Sequence, residues 1–210
     1  LVYIFVLALL LSFNLAVNAQ EEKKEEFNFP GFTLSKCLKD YDIKKQSGRR
    51  VAKLPSGVAQ KYLKTLYPVL EEDDLPRALE ILDRMKSDDG LKQRDKAQMY
   101  YYYAYVYFSQ ENLRKAKTAY NDFLKIEEAD PRLKSNVIFS LAQIAYSEEK
   151  YKESISKMKE WLSKEANPSS TGFDIMAASY WQLKDKKQAL KNAQTGLCVA
   201  KANKSKPRES

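Results

Sequence analysis

"MYYYYAYVYFSQENLRKAKTAYNDFL", residues Met99 to Leu124, decides the fold. Its first ten residues carry six tyrosines and otherwise apolar neighbours. Such a run could belong to a membrane segment, a core helix or a surface that holds something else. It is too short to span a bilayer. Ser109-Gln110-Glu111-Asn112 then forms a tight polar turn, after which Ala116 and Tyr120 stand four residues apart, the spacing of one helix face. The stretch reads as two helices joined by a turn.

The pattern recurs along the chain. Ala78 in "DDLPRALEILDRM", Ala116, Ser154 in "EKYKESISKMKEWL" and Ala189 in "DKKQALKNAQTGL" follow polar turns and lie 38, 38 and 35 residues apart. Leu82, Tyr120, Met158 and Ala193 come four residues later; Leu66, Ala104, Ala142 and Ala177 come twelve residues earlier. Small side chains at these places let two helices approach closely. A pair this short cannot bury its own apolar face, so successive pairs must stack. Glycine is scarce, at 6 of 210 residues, and the periodic stretches are rich in the helix formers Lys, Glu, Leu, Ala and Gln. The expected fold is all-α, with about four antiparallel helix pairs over residues 56–200. Pro131 and Pro168 should end two of the pairs, and Pro68 should kink or break the first helix.

These positions resemble the tetratricopeptide repeat (TPR) family, whose motif has a large residue, a large-small pair, an aromatic, a small residue, an aromatic and a late proline. The second pair matches with Tyr100, Tyr103-Ala104, Tyr107, Ala116, Tyr120 and Pro131. The third matches with Ile138, Leu141-Ala142, Ala145, Ser154, Met158 and Pro168. The fourth gives Phe173, Met176-Ala177, Tyr180 and Ala189, and the first, with Tyr62, Thr65-Leu66, Val69 and Ala78, is the poorest. The resemblance implies a right-handed superhelical α-solenoid, in which Ala78, Ala104, Ala116, Ala142, Ser154, Ala177 and Ala189 are the repeat-packing positions. Tyr100, Tyr103 and Tyr107 should pack within their own pair, and Met99, Tyr102 and Val106 should face a neighbouring one.

The resemblance also implies a concave groove. Its lining would be Leu63 and Tyr67, then Tyr101, Tyr105 and Phe108, then Phe139, Gln143 and Tyr146, then Asp174, Ala178 and Trp181. Aromatic side chains give large contact area at low entropic cost, with phenol and indole groups for hydrogen bonds, which suits a protein or peptide partner. The alternative is that the rings cover the stack interior or dock against an N-terminal helix. Relatives that grip C-terminal carboxylates carry Lys, Arg and Asn along this groove. Tyr101, Tyr105 and Phe139 stand here instead, so that role is not implied.

The first nineteen residues, LVYIFVLALLLSFNLAVNA, carry no charge and end in Val17-Asn18-Ala19, small residues that suit signal peptidase. They are expected to be a signal peptide cleaved after Ala19, which makes the protein periplasmic; an uncleaved membrane anchor is the rival. Residues 20–55 hold a charged leader, "QEEKKEE", and a Phe-rich stretch, "FNFPGF". Cys37 and Cys198 are the only cysteines. In an oxidising compartment they could pair, yet nothing in the sequence fixes their distance. Cys37 lies too far beyond the apolar stretch to be a lipoprotein cysteine. Residues 201–210 form a basic tail, and the array is expected to continue past it.

The net charge of +8 would raise nucleic acid as a partner, but the cations are scattered as on solvated helix faces. Membrane contact is expected only through the signal peptide or a partner. The chain has no histidine, which removes His-based triads and the usual zinc sites, and it has no GxxxxGK[ST] or GxGxxG. Glu71-Glu72-Asp73-Asp74 reads as helix capping. No catalytic residue, metal or cofactor is expected, and the chain is expected not to be an enzyme. Cys37, the Arg49-Arg50 pair and "SGVAQKYLK" leading to "EEDDLPRALEILDRM" resemble a narrower group. These are the periplasmic TPR proteins of TonB-ExbB-ExbD energy-transduction clusters in marine gammaproteobacteria. That resemblance implies an accessory scaffold in iron-siderophore uptake. A general envelope adaptor for assembly or division has the same fold and a different partner.

Overall fold

The computed structural model describes residues 33–41, 55–165 and 167–204, all within one compact unit. The signal peptide, the charged leader, "FNFPGF", Arg49-Arg50 and the end of the basic tail lie outside the described residues. A short helix, α1 (Leu34–Cys37), precedes four helix pairs. These are α2 (Gly57–Glu71) with α3 (Leu75–Lys86), α4 (Gln93–Ser109) with α5 (Leu113–Lys125), α6 (Pro131–Ser147) with α7 (Tyr151–Leu162), and α8 (Ser170–Gln182) with α9 (Lys186–Lys204). The described residues contain no strand, and no helix among them is long and apolar enough to cross a membrane.

One turn is used four times. Asp73, Glu111, Glu149 and Lys184 adopt left-handed backbone, with φ of 57°, 58°, 59° and 63°. The next N–H then reaches back to a carbonyl near the end of the first helix: Asp74 to Val69, Asn112 to Tyr107, Lys150 to Ala145 and Asp185 to Tyr180, at 2.8–3.0 Å. This closure satisfies carbonyls that the helix end would leave unpaired. In three of the turns that next residue also caps the second helix. Asp74 accepts from the Arg77 N–H at 3.2 Å, Asn112 from Lys115 at 3.2 Å and Asp185 from Gln188 at 3.0 Å. One helix stops and its partner starts within three residues, and the chain doubles back.

Five residues past each left-handed residue lies the small side chain of the second helix. Ala78, Ala116 and Ser154 are fully buried, as are Ala104 and Ala142 on the facing helices, and Ala189 is nearly so. Ser154 does more than stay small: its hydroxyl donates to the Ala142 carbonyl at 2.9 Å. Ala177 departs from the expected role and is only half-buried. In the last pair the tight approach falls at Gly196 instead, and a further one, at Gly172, meets the preceding pair. A Cβ on Gly196 would sit 3.2 Å from Phe173 Cβ, and one on Gly172 only 2.3 Å from the Trp161 ring.

Three other expectations need correction. Pro68 does not break α2, which runs one further turn to Glu71; the proline side of the helix is exposed, so water can satisfy the carbonyl left without an N–H partner. Pro131 starts a helix rather than stopping one. It is the first residue of α6, where its missing N–H costs nothing, behind the Asp130 cap. Tyr103 does not stay within its own pair: its hydroxyl donates to Asp83 on α3 of the preceding pair, and its ring stacks on Tyr107. Met99 and Val106 are buried, and Tyr102 sets its ring against Tyr67 of the preceding pair, so that stripe does face a neighbour.

The segment 33–41 packs on the last pair. A Cys37–Cys198 disulfide spans 161 residues and ties α1 to α9. Leu38 is buried beside it, the Tyr41 ring meets Phe173 edge-on at 5.2 Å, and the Tyr41 hydroxyl donates to Asn192 at 2.9 Å. The sequence left this pairing open; the fold brings the two residues together.

Two outcomes follow from this packing. Gly172→Ala should lower stability by about 1–3 kcal/mol in chemical denaturation, because the Trp161 ring is buried and has little room to retreat. Gly57→Ala, where a Cβ meets nothing, should not destabilise. Reduction, or Cys37→Ser, should cost up to about 4–5 kcal/mol for a loop of this length. Hydrogen exchange should place that loss in α8 and α9.

Candidate interaction surface

The site is built from the stripe of each first helix that faces away from the preceding pair. Tyr101, Tyr105 and Phe108 come from α4, Phe139, Gln143 and Tyr146 from α6, Tyr67 from α2, and Asp174, Ala178 and Trp181 from α8. Their burial differs along the stripe. Tyr67 and Tyr105 are 41% and 42% exposed and Trp181 is 57% exposed, while Tyr101, Phe108, Phe139, Gln143, Tyr146 and Ala178 are half-buried. Asp174 is exposed.

Leu63 does not line the surface. It is 3% exposed and lies in the core. The same place in the next two pairs explains why. Tyr101 packs on Phe123 with ring centroids 6.0 Å apart, and Phe139 packs on Trp161 at 5.0 Å. This stripe position points at the second helix of its own pair. A tyrosine there reaches out with its hydroxyl, whereas a leucine has no polar tip and sinks wholly beneath.

The rings form a braced set. Tyr67 meets Tyr102 at 5.8 Å, Tyr102 meets Tyr101 at 5.5 Å, and Tyr101 rests on the buried Phe123. Edge-to-face contacts of this kind fix ring orientation. Tyr67 is thus an exposed ring on a braced floor, and Tyr105 is a second exposed ring on the helix that carries Tyr101 and Tyr102; both suit stacking on apolar side chains and bonding backbone groups of a ligand. Burial holds the phenols beneath them in the neutral form. Tyr102 and Tyr103 are pushed well above the usual tyrosine range, Tyr103 also by its bond to Asp83, and Tyr120 is pushed up to about 12.

A second concavity, of about 560 Å³, opens between α7, α8 and α9 at the end of α1. Lys159 lies over the Tyr180 ring on its wall and Lys191 over the Tyr41 ring, with Lys191 also 3.3 Å from Asp40. No group of three or more His, Cys, Asp or Glu among the described residues could hold a metal ion.

No family model and no curated protein matches the chain. Among solved structures, the crystal structure of MamA is similar: TM-score 0.60 at 14% identity, over 70% of this chain and 81% of MamA. The likeness shows the fold, a TPR-like α-solenoid. Stacked helical repeats of this kind form extended concave surfaces that bind partners.

The buried phenols make stability depend on alkaline pH. The Tyr120 pKa is near 12 in the fold and near 10 when unfolded. Its contribution is therefore complete below pH 10 and is lost as pH rises from about 10 to 12, on the order of 2–3 kcal/mol. Tyr102 and Tyr103 add to the loss in the same direction. Tyrosinate absorbance from these buried rings should rise together with the loss of helical circular dichroism.

Proposed function

We propose that this chain is a non-enzymatic interaction scaffold of the periplasm, whose Tyr67–Tyr105 surface holds a peptide or protein segment. The observation that carries this reading is the exposed Tyr67 ring braced by Tyr102, Tyr101 and the buried Phe123, with Tyr105 exposed on the same helix as Tyr101 and Tyr102. Half-exposed rings of that kind on a rigid helical support present contact area with little ordering cost on binding. The Cys37–Cys198 bridge favours an oxidising compartment, in keeping with an export signal over residues 1–19. The partner proposed is a periplasmic portion of a TonB-ExbB-ExbD complex, with the scaffold aiding iron-siderophore uptake. This rests on the resemblance of Cys37, Arg49-Arg50 and the "SGVAQKYLK" stretch.

The test is a titration of the chain with the periplasmic segments of TonB and ExbD. Tyr67→Ala with Tyr105→Ala should weaken capture about tenfold or more and lower stability by no more than about 1 kcal/mol, through the lost Tyr67–Tyr102 contact. Tyr101→Ala should instead lower stability by about 1 kcal/mol or more, through its lost contacts with Tyr102 and Phe123. No binding to either segment, with capture of an envelope-assembly or division protein through the same tyrosines, would move the assignment to a general envelope adaptor. Full binding by the double variant would remove the tyrosine surface from the account.

A further inference from the structure

The outer side of α9 is an unfilled copy of the interface that holds the array together. In the third pair, Ile155, Met158 and Leu162 of α7 are all buried, and α8 lies against that helix. Tyr120 and Leu124 of α5 lie under α6 in the same way, and Leu79 and Leu82 of α3 under α4. The corresponding residues of α9 are Leu190, Ala193 and Leu197, on one face at helical spacing. Nothing described covers them. Leu190 and Leu197 are 61% and 59% exposed, and Ala193 is exposed as well.

The repeat itself defines the shape of what fits there. Each equivalent strip takes one amphipathic helix whose apolar stripe follows a three-to-four-residue spacing, as Met99, Tyr102 and Val106 of α4 do. The charge around the strip defines the rest. α9, "KKQALKNAQTGLCVAKANK", holds five lysines and no acidic residue. Lys186 and Lys187 stand at one end of the apolar strip and Lys201 at the other. A second copy of this chain is a poor occupant. Its first helix, α2, carries the exposed Lys61 and Lys64 at the places that Met99 and Tyr102 hold in α4, so it would set two lysines on the apolar strip.

We propose that this face of α9 docks an acidic amphipathic helix of a partner protein, with Leu or similar residues on the strip and Glu or Asp over the lysine ends. The surface is separate from the tyrosine face and does not depend on what that face binds.

The probe is a synthetic helical peptide of about five turns, with leucines at i, i+3 and i+7 and glutamates on both flanks. Its twins carry lysine in place of every glutamate, or a central proline. Labelled-peptide anisotropy on the full chain should show the acidic peptide binding at least about tenfold tighter than either twin. Added salt should weaken it. Leu190→Ser with Leu197→Ser should abolish binding, while Tyr67→Ala with Tyr105→Ala should leave it intact. Lys186→Glu with Lys187→Glu, both exposed and away from the core, should shift preference toward the lysine twin. Equal binding of both charged peptides, or binding that survives loss of both leucines, would overturn the proposal. So would self-association of the chain that disappears with Leu190→Ser and Leu197→Ser, since the occupant would then be a second copy. Protection of Leu190 and Leu197 from radical footprinting in the chain alone would overturn it too, since the strip would be covered in cis.

Discussion

The structure depends on a left-handed residue followed at once by a helix cap, set five residues ahead of a small side chain. The first part ends a helix by closing its last carbonyls. The second part starts the next helix before the chain can travel. The small residue then lets the returning helix settle against the outgoing one. The cap is the dispensable part: Lys150 gives α7 no side-chain cap, yet that turn closes like the others. Without the closure the helices would not be antiparallel, and without the small residue they could not lie close enough to exclude water. Because the unit is local, the array is built by repeating it, and each pair completes its core only when the next covers it.

Much of this was legible, and for a stated reason. Close helix contact demands a small side chain whatever its neighbours, so Ala78, Ala116, Ser154 and Ala189 mark the repeat even where the surrounding motif decays. The left-handed residues were not legible. Asp73, Glu111, Glu149 and Lys184 share no chemistry, and glycine, the residue that would have announced such a backbone, is absent from all four turns. Gly196 was missed for the opposite reason: it makes the close approach to α8 within the last pair but falls out of register with the earlier pairs, and Gly172 makes a different one, to Trp161 of the preceding pair. Period alone cannot show a contact that has migrated along the helix. Asp95 was missed as well. It is fully buried, its carboxylate accepting from the Ser56 and Lys92 N–H groups at 2.9 Å, which anchors the start of α2 to the start of α4. A lone aspartate in a basic stretch gives no sign of such a task.

The tyrosine run was half legible. Spacing separated the stripe facing the preceding pair from the stripe facing outward, because helical geometry divides side chains by angle. It could not say how deep each outward ring would sit. That depends on the residue opposite: Phe123 draws Tyr101 inward, while Tyr105 stays at the surface. The two uses of tyrosine are therefore coupled. Buried phenols need partners, and Tyr103 finds Asp83 across the pair boundary. Tyr102, next to it in the chain, gives Tyr67 a ring to rest on, itself braced through Tyr101 on Phe123. A leucine-rich helix would pack as well but would leave no phenol at the rim, as Leu63 demonstrates.

The fourth pair is held and exposed on different sides. Its two helices have an inner side against α7, and α1 shields a further part through Leu38, Tyr41 and the bond from Cys37 to Cys198. That clamp acts on the face turned toward Asn192 and Val199, which are buried. It leaves untouched the face carrying Leu190, Ala193 and Leu197, nearly opposite on the helix wheel. Two features of α9 are thus divided between its sides. A covalent strap from earlier in the chain secures one side of α9, and the apolar strip keeps the geometry of a repeat interface on the other. Had α1 docked on the strip, the lysines at its ends would have no apolar surface left to frame. Because it docks elsewhere, α9 is held firmly enough to present that strip as a preformed surface, which lowers the ordering cost for whatever helix binds there.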